Sequence, residues 1–325
     1  MTLTSIIKNL KCNRLFAILV LISFNAAAQK DPQFSLFSLN QLYYNPAAAG
    51  AGGLTKFQLT HRTQYAGYQS TMATSDGGAL STQLFSFSMP FKNFGIGFYA
   101  MNDHVSANTS QDFKLSASYH IPVLSGNLYF GASAGLFRQA IDYDKFRAVQ
   151  PDDPLIPSGN YSQIDPDFAA GVRYENETFN VGLSLNHILS PQYKLGSETA
   201  TNPLPRTIYF NAGVNLELGY LLDIQPIVLV KSDITTSSVE GGATVTYNKR
   251  YWLGGTYRQQ DTYFIIMGGI YLLPDQSLRL SGAYDLVAGG NSPKAPSSFE
   301  VMLSYALSSP KFGKKTIIRT PRFRF

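Results

Sequence analysis

Apolar residues alternate with small or polar ones again and again along this 325-residue chain, in about fourteen stretches of roughly ten residues. In an extended strand successive side chains face opposite sides, so such a stretch is oily on one face and polar on the other. Phe113, Leu115, Ala117, Tyr119 and Ile121 alternate with Asp112, Lys114, Ser116, Ser118 and His120. Phe179, Val181, Leu183 and Leu185 alternate with Asn180, Gly182, Ser184 and Asn186. Ile208 to Leu216 and Phe299 to Leu307 repeat the pattern. The segments fall near 54–65, 79–89, 94–103, 111–121, 127–138, 167–175, 178–187, 206–218, 221–231, 238–248, 250–258, 261–272, 276–287 and 297–308. Each is close to the ~9–11 residues that a tilted membrane strand requires.

Composition narrows the choice. Aromatic residues make up 13% of the chain and charged residues only 14%, against about 25% charged in a typical soluble domain. No apolar run after residue 28 approaches the ~20 residues of a membrane helix. The other structure that satisfies its backbone inside lipid is a closed barrel. The chain therefore reads as an all-β outer-membrane barrel of about fourteen antiparallel strands, spanning 54–308. A soluble β-sandwich also alternates, but this length would need several domains, and no linker separates any. Its Gly- and Ser-rich inner faces would pack a sandwich core poorly, whereas they suit a lumen.

The connections give an independent check. Every second one is short: Pro90-Phe91-Lys92-Asn93, Glu175-Asn176-Glu177, Asn248-Lys249-Arg250 and Pro274-Asp275-Gln276. Between them lie the longest, 139–166, 188–205, 66–78 and 288–296, with one short exception near Arg258–Asp261. Outer-membrane barrels have short periplasmic turns and longer outer loops. An even strand number then places both chain ends in the periplasm. Tyr99, Tyr119, Tyr174, Tyr209, Tyr247, Tyr257, Tyr271 and Tyr284, near strand ends, are expected in an interfacial girdle.

Residues 1–28 read as an export signal. Lys8, Lys11 and Arg14 precede an apolar core from Leu15 to Phe24, and Ala26-Ala27-Ala28 supplies small residues before Gln29. The single cysteine, Cys12, lies before that core, so the mature chain is expected to have no disulfide, thiol catalysis or thiolate metal site. The net charge of +5 misleads: without the leader there are 23 basic and 21 acidic residues, and six of the basic ones follow Pro310. No nucleic-acid partner is implied.

Residues 29–53, QKDPQFSLFSLNQLYYNPAAAGAGG, precede the first strand. Pro32 and Pro46 interrupt any helical reading, and the segment is too polar for a membrane helix. It reads as a periplasmic tether or a plug.

The wording of this segment resembles a known family. Asp31-Pro32-Gln33-Phe34-Ser35, then Tyr44-Asn45-Pro46-Ala47 and Gly50, is similar to the opening of the PorP/SprF outer-membrane proteins of the type IX secretion system. Gly95-Ile96-Gly97 with Asn102-Asp103 resembles the family's glycine-rich third strand. Leu128-Tyr129-Phe130-Gly131 with Ala134-Gly135, Pro166-Asp167-Phe168 through Gly171, and Val181-Gly182-Leu183-Ser184 follow in family order. So do Trp252-Leu253-Gly254 with Tyr257-Arg258, and Ser298 to Tyr305. At the last of these the family usually carries a histidine before the glutamate; this chain has Phe299 before Glu300, a departure that removes a hydrogen-bonding group.

The resemblance implies a non-enzymatic outer-membrane component of the secretion and gliding machinery of Bacteroidota, without cofactors. It would support the secretion or surface anchoring of a cognate, adhesin-like protein bearing a type IX C-terminal sorting domain. Its implied partners are the periplasmic ring and peptidoglycan-binding lipoprotein subunits, with outer-membrane lipid around the barrel. Candidate partner-binding residues are Asp31, Pro32, Phe34, Asn45, Pro46 and Gly50. For these, the bland reading is that Asn-Pro and Gly shape the turn into the first strand. The basic tail, 309–325, adds Lys314, Lys315, Arg319, Arg322 and Arg324. The alternative is a porin or transporter for small or hydrophobic solutes, with residues 30–53 as a lumenal plug.

Catalytic readings are poorer. The histidines are His61, His104, His120 and His187. Asp103 and His104 are neighbours on an extended chain and should point apart. His187 beside Ser190 is better explained by the abundance of serine than by a nucleophile and its base. Asp142, Asp144, Asp152, Asp153, Asp165 and Asp167 in and after the long loop lack calcium-loop spacing. No metal-ligand spacing or nucleotide fingerprint is present.

Overall fold

The computed structural model describes residues 31–66, 80–146, 157–196, 202–233, 235–259, 263–287 and 297–308. The leader with Cys12, the loop aspartates Asp152 and Asp153, and the tail with Lys314, Lys315, Arg319, Arg322 and Arg324 lie outside the described residues.

The strands are β1 (Leu54–Gln64), β2 (Leu80–Phe91), β3 (Phe94–Val105), β4 (Asn108–Val123), β5 (Gly126–Asp142), β6 (Asn160–Glu175) and β7 (Phe179–Asn186). A small pair, β8 (Gln192–Tyr193) and β9 (Asn202–Pro203), follows in a loop. Then come β10 (Thr207–Val214), continued by β11 (Leu216–Leu218), and β12 (Leu222–Ser232), β13 (Ser237–Tyr247), β14 (Tyr251–Arg258), β15 (Tyr263–Tyr271), β16 (Leu278–Val287) and β17 (Ser298–Ser308). Counting β10 and β11 as one wall strand and setting β8 and β9 aside gives a barrel of fourteen antiparallel strands. The wall closes where β1 pairs with β17, from Leu54↔Ser308 to Thr63↔Phe299. All of the expected strand segments are present.

Tight turns follow from local chemistry. Asn248 and Lys249 both have positive φ, 51° and 50°, at the centre of a turn closed by the Arg250 N–H donating to the Tyr247 carbonyl, the handedness that matches strand twist. Short turns gather at one end of the barrel, the end where Leu54 meets Ser308. The connections 143–159 and 187–206 lie at the other. Two further outer connections are also short, Ser106–Ala107 and 233–236. The expected loop 139–166 is shorter than its sequence suggested, because β5 and β6 continue pairing to Asp142↔Asn160. Polar side chains hid that extension from an apolar count.

The two faces are chemically opposite. Leu59, Leu115 and Leu253 lie on the outside, the last two about 64% and 65% exposed, as befits a wall in lipid. The lumenal positions carry buried Arg62, Lys114, Asp167, Glu240, Asp285 and Glu300. Tyr119, Tyr247, Tyr257 and Tyr284 are on the outer face. Tyr99 and Tyr209 are not part of a girdle. They are buried in the lumen, and Tyr271 also packs inward. Strand parity decides this: Tyr99 shares its face with Met101 and Asp103, whereas nearness to a strand end says nothing about face.

Candidate functional site

Residues 31–53 fold up inside the barrel. The segment is buried from Phe34 to Phe37 and through most of 40–51. It contains one helical turn, Gln41–Tyr44, and two 3-10 turns, Pro46–Ala48 and Ala51–Gly53. The prolines therefore limit helix rather than abolish it: Pro46 sits at the first position of its own turn, where a missing N–H costs nothing.

The segment enters β1 at the short-turn end, but its start lies near the opposite end. Asp31 meets His187, which follows the outer end of β7, together with Tyr209 of β10 and Lys231 of β12. His187 Nε2 is 3.1 Å from Asp31 Oδ1, the Tyr209 hydroxyl donates to Asp31 Oδ2 at 2.8 Å, and Lys231 Nζ donates to the Asp31 carbonyl at 2.6 Å. Behind them His187 Nδ1 lies 2.7 Å from Asp167, which also pairs with Lys114 at 2.7 Å. Of the two readings, tether or plug, the segment takes the second. The strand count places the start of β1 in the periplasm, but it cannot show which way the preceding chain turns.

The next two alternate residues find their own charged seats. Gln33 donates to Glu240 at 2.9 Å, and Glu240 in turn accepts from Arg258 and Thr256. The Ser35 N–H donates to Glu300 at 2.7 Å and its hydroxyl to Asp285 at 2.6 Å, while Arg62 binds both carboxylates. These groups are buried and paired, which is the condition for keeping charge out of water. Burial pushes the Asp31 carboxyl up, but His187, Lys231 and Tyr209 outweigh it and hold it well below the usual carboxylate range. Burial pulls His187 down, and Asp31 and Asp167 outweigh that, raising it to about 9.

Oily contacts fill the space between. Phe34 meets Tyr43 edge-on at 5.2 Å, Tyr43 meets Tyr99 at 5.5 Å and Tyr44 meets Tyr209 at 5.1 Å. Leu36 enters a separate cluster with Trp252, Tyr263, Ile265 and Met302. Each such ring or branched chain contributes about 1.5–3 kcal/mol by leaving water.

Lower down, Asn45 has two tasks. Its Oδ1 accepts from the Ala47 N–H at 2.9 Å, capping the 3-10 turn, and its Nδ2 donates to the Val172 carbonyl at 3.0 Å. The turn-shaping reading of Asn-Pro holds, with a wall contact added. Gly50 has φ 68°, and its N–H donates to Ser88 at 2.7 Å. The wall is glycine where the plug presses on it: a Cβ at Gly131 would meet the backbone of Ala47, and one at Gly171 would meet the Asn45 side chain.

A profile described as type IX secretion system membrane protein PorP/SprF matches residues 26–305. The chain belongs to the PorP/SprF family. It is accordingly an outer-membrane component of type IX secretion. No curated protein matches it. Among solved structures it is similar to the Ralstonia pickettii toluene transporter TbuX, with a TM-score of 0.51 at 11% identity, covering 82% of this chain and 92% of that one. The Pseudomonas putida toluene transporter TodX gives 0.47 at 11%, covering 88% and 96%. The Acinetobacter baumannii outer membrane protein Omp33 gives 0.45 at 7%, covering 79% and 100%. The first likeness shows the barrel fold alone.

The PorP/SprF motifs acquire places in the molecule. The Asp31, Asn45 and Gly50 of the opening segment, Gly131, Gly171 and Glu300 meet at the plug–wall contact, and Asp167 stands behind it on His187. Phe299, where the family usually has histidine, is on the outer face, so the departure costs the lumen nothing; of this pair it is Glu300 that faces the plug, beside Asp285 and Arg62. Asp103 and His104 do point apart, to Thr82 and Thr109. His187 serves Asp31 rather than Ser190, whose hydroxyl donates to the Leu204 carbonyl. Sequence reasoning did not single out Lys114, Arg62, Asp285 and Glu240 as anchors. The signal was present: charged residues at inward-facing positions of membrane strands.

Proposed function

We propose that this barrel is a sealed subunit of the type IX apparatus, with outer loops that receive a cognate, adhesin-like secreted protein and a periplasmic rim that meets the ring and the peptidoglycan-binding lipoprotein. The observation that carries this reading is the plug. Residues 31–53 are bonded to the wall from β1 round to β17, so the lumen is built as a rigid body and not as a conduit. In this position Asp31, Pro32, Phe34, Asn45 and Pro46 act on partners indirectly, by holding the barrel and its loops in one shape. Direct contact falls to the loops, the rim near Gly50 and the basic tail.

A solute-transport reading also puts this segment in the lumen. It requires residues 31–44 to shift against three sets of buried ionic anchors, and the family favours the secretion role. Purified protein in planar bilayers should give no steady, solute-selective conductance. Deletion of the gene should block surface display of one large secreted protein while solute uptake continues. Failed uptake with intact surface display would overturn the proposal.

A further inference from the structure

Beneath the plug the lumen opens into a chamber at the short-turn end, with a volume of about 750 Å³, within the ~300–1,000 Å³ usual for ligand pockets. Leu39 and Leu42 of the plug roof it, and the feet of β1, β6, β16 and β17 form its walls. Lys56, Arg173 and Arg279 line it.

The chamber's carboxylates are already engaged. Glu175 accepts from Arg173 at 2.8 Å, and Asp275 accepts from the N–H and hydroxyl of Ser277 within its own turn. Lys56 has no ion pair or hydrogen bond to any described residue, although Glu175, Arg173 and Arg279 are its charged neighbours. Among the described residues Arg279 reaches only the Tyr271 hydroxyl, at 3.4 Å, and the face of that ring. Arg279 Nε and Arg173 Nη1 are buried without an acceptor among the described residues. Buried donors of this kind are costly when left alone. The site has surplus positive charge and open donor positions.

The surroundings indicate what kind of anion fits. Asn176, Asn180, Asn215 and Gln225 also line the chamber. Side-chain amides both donate and accept, which matches peptide groups better than a bare phosphate. The chain's own tail does not suit: beyond Ser308 it carries Lys311, Lys314, Lys315, Arg319, Arg322 and Arg324 and no acid. A second copy would bring the same charges.

We infer that this chamber is a receptor for an acidic peptide segment of a periplasmic protein, with its carboxylates on Lys56 and Arg279. The inference rests on the proposed function, which turns this rim toward the machinery. The chamber's surplus positive charge favours an acidic partner at this end.

The test uses the full chain in detergent and a fluorescein-labelled octaglutamate peptide, read by fluorescence anisotropy. Wild type should bind it, more weakly as salt rises, and should not bind octalysine. The double variant Lys56→Gln/Arg279→Gln should lose about tenfold in affinity, and Arg279→Lys should keep most of it. Deleting residues 309–325 should leave chamber binding in place. Heat-modifiable migration on gels checks that each variant is folded, and removing two cations that hold no ion pair among the described residues should not disturb it. Equal binding by wild type and the double variant, or loss on tail deletion alone, overturns the inference. So does displacement of the peptide by inorganic phosphate at millimolar levels, which would mark a headgroup or phosphate site. Peptide binding is read without secretion: if surface display proves independent of the protein while the chamber still binds, only the proposed function falls.

Discussion

His187 joins the plug to the wall: its Nε2 lies 3.1 Å from Asp31, 156 positions earlier in the chain, while its Nδ1 lies 2.7 Å from Asp167. With both ring nitrogens facing carboxylates, the imidazolium form donates in both directions. One residue after β7 thereby fixes the far end of a segment that enters the wall at β1.

Removing either partner leaves an uncompensated buried charge. Asp31→Ala is expected to weaken the upper plug by about 3–5 kcal/mol, the usual cost of breaking a buried pair. Hydrogen exchange should show faster amide exchange over residues 31–44, with little change in strands such as β14. Unchanged protection there would mean that the aromatic contacts hold the plug alone.

The same contact should depend on pH with a definite sign. His187 is raised from 6.5 to about 9, so its contribution is fully present below 6.5 and is lost as pH rises through 9. Asp31 is depressed, so its contribution is present above 3.8 and is lost as pH falls through its lowered folded value. Asp167, Lys114, Lys231 and Tyr209 face the pair and modulate both. Plug protection should therefore be greatest between about 4 and 6.5 and decline between pH 7 and 10. In His187→Gln the alkaline decline should vanish.

Asn45 separates turn from wall. Asn45→Asp keeps the acceptor for Ala47 N–H and loses the donor to Val172, whereas Asn45→Ala loses both. The alanine variant should cost about 1 kcal/mol for the cap, plus a similar amount for the wall bond. A thermal melt in which aspartate and asparagine are equal would assign the residue to the turn alone.

The glycine seat gives a size test. Gly131→Leu would drive a side chain into Ala47, with an expected cost of about 1–3 kcal/mol or more. Gly241→Ala, where an added Cβ finds nothing closer than 3.9 Å, should be tolerated. Proteolysis of residues 31–50 in the two variants reads the difference. Equal resistance would show that the plug does not need the close approach at Gly131.

Much of the wall was legible because a barrel strand obeys a local rule. Phe113 and Lys114 need only the pleat to be assigned opposite faces, and Asn248-Lys249 needs only its own φ angles to turn. Tyr99 and Tyr271 were misplaced when position along a strand was used in place of parity. The extension of β5 to Asp142 was missed because polar strand ends in water look like loop.

The candidate site was legible in part. Asp31, Asn45 and Gly50 stood out as words, but their partners are 156 residues away at His187, 127 at Val172 and 38 at Ser88. Such distances leave no local trace. Lys114, Asp167, Asp285 and Glu300 were visible as charges on inward faces, and charge inside a membrane wall demands compensation. What compensates them could not be read from their own strands.

By itself, then, the sequence determined a barrel: period two sets the faces, segment length matches the membrane, and turn chemistry sets the strand parity. Each is a property of a few adjacent residues. Only the tertiary structure decided that residues 31–53 turn inward, because that choice depends on buried charges and glycine gaps contributed by strands from β1 to β17. Their complementarity to Asp31, Gln33, Ser35 and Asn45 exists only once the wall has closed.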